Sequence, residues 1–153
     1  MADEFKGGVP AMTMDWKTWG IEAGSSVDEA VIALVQQHLG VNLPPLYLDL
    51  VSYADEASPE WSTFDYGGQQ TCISEFFKFT AQAEPYSLLW YATGQRIAGL
   101  APGLIPIARD AGDQLVCLNT TGAAITVALF APDSGHTYPV AADFQQFVEQ
   151  WRP

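Results

Sequence analysis

The chain has 153 residues, 48% of them hydrophobic, with five Trp, six Tyr and eight Phe; this supplies one substantial core and argues against disorder over most of its length. Eighteen acidic against six basic side chains give a formal net charge of −12. That balance argues against a nucleic-acid binder, which needs Lys/Arg to replace phosphate counterions, and against a protein held on anionic lipid.

Residues 1–24 contain four Gly, one Pro and no clear period, and read as a loosely ordered N-terminal arm before a single domain at 25–153. Trp16, Trp19 and Ile21 are the side chains that could pin this arm down. Ser26-Val-Asp-Glu29 has capping-box spacing, and Val27, Ala30, Val31, Leu34, Val35 and Leu39 then recur at helical intervals up to Gly40, which suits a left-handed C-terminal cap. A second helix is expected from Pro44 or Pro45, where a missing N–H costs nothing, to about Asp55. Residues 56–70 are turn-rich, with Trp61, Phe64 and Tyr66 able to form a brief strand before Gly67-Gly68.

Cys72 to Phe79 fits neither period cleanly and is read as a strand ending in a turn. Residues 86–100 look helical, with an apolar face of Leu88, Leu89, Tyr91, Ala92, Ile97 and Leu100. Leu104–Ala108 and Gln114–Leu118 flank a Gly/Asp turn and predict a β-hairpin, followed by a strand over Ala124–Phe130. Pro132 to Gly135 make a turn, and Val140–Phe144 leads into a closing helix carrying Phe144, Phe147, Val148 and Trp151. The expected class is α+β: a helix pair, a mostly antiparallel sheet of three to five strands and a C-terminal helix.

Reactive constellations are sparse. His38 and His136 lie far apart without Cys-x-x-Cys or His-Glu-x-x-His spacing, so no metal is expected, and His38 suits the negative end of a helix dipole. Asp110-Ala-Gly-Asp113 lacks the alternating ligands of a calcium loop and reads as a solvated turn. Cys72 and Cys117 both sit in apolar stretches and read as buried free thiols, not as a disulfide or as nucleophiles partnered by His136. Ser87 precedes an ordinary apolar helix, and Gly67-Gly68 lacks the Lys of a phosphate loop. No catalytic residue and no cofactor is expected. The first residues are acidic with no apolar run, which points to the cytoplasm.

In sequence order, three pieces resemble the SMI1/KNR4 (SUKH) family. The first is Val31-Ile-Ala-Leu-Val-Gln-Gln-His-Leu-Gly40 with Val-Asn-Leu-Pro-Pro-Leu-Tyr47. The second is Leu104-Ile-Pro-Ile-Ala-Arg-Asp-Ala-Gly-Asp-Gln-Leu-Val-Cys-Leu118. The third pairs Ile125-Thr-Val127 with Val140-Ala-Ala-Asp-Phe-Gln-Gln-Phe147. Two departures are Tyr53-Ala-Asp55, where the family often has an Asn-Gly turn, and Asn119, where it often has an acidic residue. The resemblance implies a rigid scaffold with a variable surface: in bacteria an immunity factor that blocks one cognate toxin, often a nuclease or deaminase, and in fungi a regulatory scaffold.

The expected function is therefore toxin immunity by stoichiometric protein–protein binding. An intracellular regulatory scaffold and a small hydrolase are the alternatives. Residues 1–65 carry 11 acidic and 2 basic side chains, against 7 and 4 in residues 66–153. A contact surface for a basic toxin is accordingly expected among Asp55, Glu56, Glu60, Trp61, Asp65 and Tyr66, with Asp110 and Asp113 as a second candidate; carboxylates would steer and aromatics anchor.

Overall fold

The structure, a computed structural model, describes residues 14–153. Of the expected N-terminal arm, residues 1–13 lie outside the described residues. From Met14 onward the chain is tied to the core. Trp16–Trp19 form a 3-10 turn, Trp16 and Ile21 are buried, and the Trp16 indole N–H donates to Asp49 Oδ2 at 2.9 Å.

Four α-helices and six strands follow. Helix α1 spans Glu29–Leu39 and α2 Pro45–Tyr53. The N-cap of α1 is Asp28, whose Oδ1 accepts the Val31 N–H at 2.9 Å, and not the Ser26 of the expected capping box. The reason is tertiary: the Val27 N–H bonds to Val51 O and the Asp55 N–H to Ser25 O, which holds residues 25–28 extended along α2. Gly40 closes α1 at φ 70°, as its position predicts, and Pro44 precedes α2 as an N-cap without a side-chain bond.

Strands β1 (Thr63–Tyr66), β2 (Gln69–Phe76), β3 (Leu104–Asp110), β4 (Leu115–Asn119), β5 (Thr126–Ala131) and β6 (His136–Ala141) form one antiparallel meander in sequence order. The sheet therefore has one strand more than the upper expectation. In β6, Pro139 and largely exposed side chains hide the strand from any periodicity argument. Because every strand reverses its neighbour, the turns after β1, β3 and β5 emerge at one rim of the sheet.

Helix α3 covers only Leu88–Ala92, a third of the helix expected over 86–100. Gly94, Gln95 and Gly99 adopt φ values of 77°, 50° and 81°, which no right-handed helix can contain. Two of the apolar residues that suggested a longer helix, Ile97 and Leu100, instead fold back as loop and pack with Tyr91 of α3 on Phe77, Leu104, Leu115, Cys117 and Phe130, a cluster on one sheet face.

The opposite face holds the main core, where Val116, Leu118, Val127 and Leu129 meet Val35, Tyr47, Leu50, Phe76, Phe144 and Phe147 from the helices and β2, and Trp151 from the chain after the last helix. Covered on both sides, β4 and β5 read as unbroken apolar runs rather than alternating ones.

The closing helix α4 (Phe144–Glu149) starts at Asp143, whose Oδ1 accepts the Gln146 N–H at 2.7 Å. Just beyond it, Gln150 joins the first and last strands: its Oε1 accepts the Asp65 N–H and its Nε2 donates to Val140 O. Tyr66 and Tyr138 meet edge to face at 5.2 Å across the same gap. Gly67 (φ 52°) turns β1 into β2 there, and a Cβ would lie 2.8 Å from the Tyr138 ring. Among the described residues no helix is long and apolar enough to cross a membrane.

Candidate functional site

The expected contact residues separate into two places. Asp55, Glu56, Glu60 and Trp61 lie where the chain after α2 runs beside residues 19–28. The contacts are backbone ones: Trp61 N–H to Trp19 O at 3.1 Å, Gly24 N–H to Tyr53 O at 3.1 Å and Asp55 N–H to Ser25 O at 2.7 Å. Glu60 packs its Cβ against Gly20. This pairing adds the exposed Glu22, Asp28 and Glu29 to the exposed Glu56 and Glu60, three carboxylates that sequence spacing alone did not assign to the surface. No Lys or Arg occurs between Lys17 and Lys78, a stretch that contains nine acidic residues. Trp61 is one of three large apolar side chains of the described residues that are exposed, at 39%.

Asp55 is only half exposed. Its Oδ1 accepts the Phe79 and Glu56 N–H groups at 2.9 and 3.0 Å, so it staples the end of α2 to the chain beyond β2. Burial raises its pKa above the ordinary carboxylate value, against the lowering effect of those two bonds.

Asp65 and Tyr66 belong elsewhere. Asp65 is ion-paired with Arg152 at 2.8 Å. The Tyr66 hydroxyl accepts from Gln114 Nε2 at 3.3 Å, which links β1 to the β3–β4 turn. Tyr66, Asp113, Gln114 and Asp133 line a cleft of about 580 Å³ at the rim where the three turns emerge. Asp113 is exposed, at φ 62°, and pairs with Arg109 at 3.0 Å.

Asp110 must be withdrawn as a contact residue. It has no exposed surface, and its carboxylate is spent inside the turn: Oδ1 accepts the Gly112 and Gln114 N–H groups at 2.9 and 2.7 Å, and Oδ2 accepts Thr71 Oγ1 and Gln114 Nε2 at 2.8 Å each. A buried carboxylate with four donors is a structural pin.

Other reactive groups are dispersed. Cys117 is buried, and desolvation pushes its thiol far above the usual range, so it is not a thiolate at neutral pH. Cys72 is half-buried rather than buried, and both cysteines are free. His136 is exposed at the start of β6, its ring 5.9 Å from that of Tyr138. Among the described residues no three His, Cys, Asp or Glu side chains are arranged to hold a metal ion.

The order of elements, the Leu-Pro step into α2, the Pro-Ile-Ala hairpin and the Phe-bearing last helix are now all placed. The family model described as SMI1/KNR4 family (SUKH-1) matches residues 26–150. The chain belongs to the SMI1/KNR4 family. The match takes in every α-helix and β-strand among the described residues of this SMI1/KNR4 domain and leaves residues 1–25, with the Trp16–Trp19 turn, and the last three residues outside. No curated protein is similar enough to this SMI1/KNR4 chain to count as a match.

Proposed function

We propose that this SMI1/KNR4 domain is a bacterial immunity protein of the cytoplasm, which binds one cognate protein toxin and blocks it by occupancy without catalysing a reaction. The observation that carries the reading is the acidic strip formed by residues 19–28 and 55–61, with Trp61 exposed beside it and no cation in the chain from residue 18 to 77. A toxin that acts on nucleic acid, such as a nuclease or deaminase, needs a cationic surface for phosphates. A protein presenting this strip has the complementary potential, and Trp61 supplies a rigid aromatic anchor among the steering charges.

The test is co-purification with the protein toxin encoded beside its gene, followed by association kinetics at increasing salt. The association rate is expected to fall about tenfold or more from low to physiological ionic strength. Charge reversal at Glu56 and Glu60 should slow association, whereas Trp61→Ala should mainly speed dissociation. An association rate that ignores salt would discard the steering role, and failure to form a complex would discard the reading.

A further inference from the structure

The loop that replaces the back half of the expected 86–100 helix encloses a cleft of about 660 Å³. Its wall is mixed: Tyr91, Ile97, Leu100, Pro102 and Leu104 supply apolar side chains, the glycine-containing loop supplies polar surface, and Arg96 is the one charged side chain lining it. Arg96 is held in place. Its guanidinium carbon stands 4.8 Å from the centre of the Trp90 ring, and its Nε donates to Trp90 O at 3.1 Å. Gly94 leaves room for it, since a Cβ there would come within 3.3 Å of a terminal guanidinium nitrogen.

Both terminal nitrogens lack a hydrogen-bond acceptor among the described residues. The other cations of this region are already committed, Lys78 to Glu84 and Arg109 to Glu75 and Asp113. A guanidinium held over an indole, with no acceptor on its end-on fork among the described residues, is preorganised for a planar, bidentate anion. The size of the cleft, and the apolar side chains set among its polar lining, suit a small organic body that carries a polar end.

We propose that this cleft binds a carboxylate carried on a short apolar group, with Arg96 as the anion anchor. The source of that chemistry is either a free small carboxylic acid or the C-terminal end of a polypeptide. The net charge of −12 does not forbid such a ligand. At physiological salt, exposed charges beyond about 8 Å are largely screened, and Arg109 pairs with both nearby carboxylates, Glu75 and Asp113, and offsets one of their two charges. This inference stands apart from toxin binding, which uses the acidic strip.

The experiment titrates the full chain with hexanoate, hexanol, a tripeptide ending in leucine and the amide of that tripeptide, following backbone amide signals of residues 94–103 by NMR. Saturable shifts are expected with a carboxylate probe and not with hexanol or the amide. Hexanoate binding alone identifies a free acid as the source, and tighter binding of the peptide acid identifies a chain end. Arg96→Gln should weaken binding about tenfold or more, and Arg96→Lys should fall between. Because Arg96 is exposed, both variants should fold, which circular dichroism verifies. Absence of saturable shifts with either carboxylate, equal binding of hexanol, or wild-type affinity in Arg96→Gln would overturn the proposal.

Discussion

Asp110 and Asp55 are acidic residues whose sequence context suggests solvent, yet both work inside the structure. The four donors around Asp110 come from two residues of its own turn and from Thr71 on the neighbouring strand. Asp110→Ala leaves those donors unsatisfied in a buried site and is expected to cost about 3 kcal/mol, read from denaturant unfolding. Asp55 behaves differently because burial raises its pKa. The folded state then holds this proton more tightly than the unfolded chain. Its contribution is fully present at pH below the unfolded value and is lost as pH rises through the raised folded value. In Asp55→Asn the amide oxygen still accepts from Phe79 and Glu56, so this part of the pH dependence should vanish with no loss of stability at neutral pH. Urea midpoints between pH 3 and 7 check it, and an unchanged slope would show that other carboxylates carry it.

At the level of elements, local signals succeeded where their causes are local. Gly40, the Pro44-Pro45 step and the apolar runs of β3 to β5 each specify their structure within a few residues. The start of α1 did not yield to the same reasoning, because backbone bonds from Val27 to Val51 in α2 and from Asp55 just beyond α2 to Ser25 decide which side chain caps it. Asp28→Ala should therefore cost about 1 kcal/mol, while Ser26→Ala should stay within about 0.5 kcal/mol; thermal unfolding of the two variants separates them. Helix α3 was overextended for the opposite reason. Ile97 and Leu100 are apolar because a second sheet face needs covering, and Gly94 and Gly99 were the visible sign that they do so from a loop. Strand β6 gave no signal of its own, since its exposed residues and Pro139 are tolerated at the end of a sheet. The same limits governed the site. Glu56, Glu60 and Trp61 were legible as an exposed acidic segment, but the neighbouring Glu22, Asp28 and Glu29 depend on a long-range pairing. The Arg96 cleft depends on a loop that periodicity mistook for helix.

Across the whole molecule, the residues after α4 hold the first and last strands in place. Trp151 is buried against Phe76 and Phe147 at ring separations of 6.2 and 5.4 Å, and Arg152 bridges to Thr63. Trp151→Ala is expected to cost about 3–5 kcal/mol, whereas Gln150→Ala, which removes two long hydrogen bonds, should cost no more than about 1 kcal/mol; denaturant midpoints distinguish a closure made by packing from one made by polar bridging. Charge is arranged at this same scale. Glu22, Asp28 and Glu29 on one side and Glu56 and Glu60 on the other sit on segments that only tertiary pairing makes adjacent, so the field a partner meets is a property of the folded chain.

The meander has a consequence for how such a molecule can diversify. Residues 67–68, 111–114 and 132–135 are remote in the chain, yet they surface together, as Tyr66, Asp113 and Asp133 do around one hollow. Edits among these ten turn positions would redraw a continuous patch of exterior while the interior stays as it is. A lineage with this topology can change what it recognises one short loop at a time, each step leaving a protein that still folds.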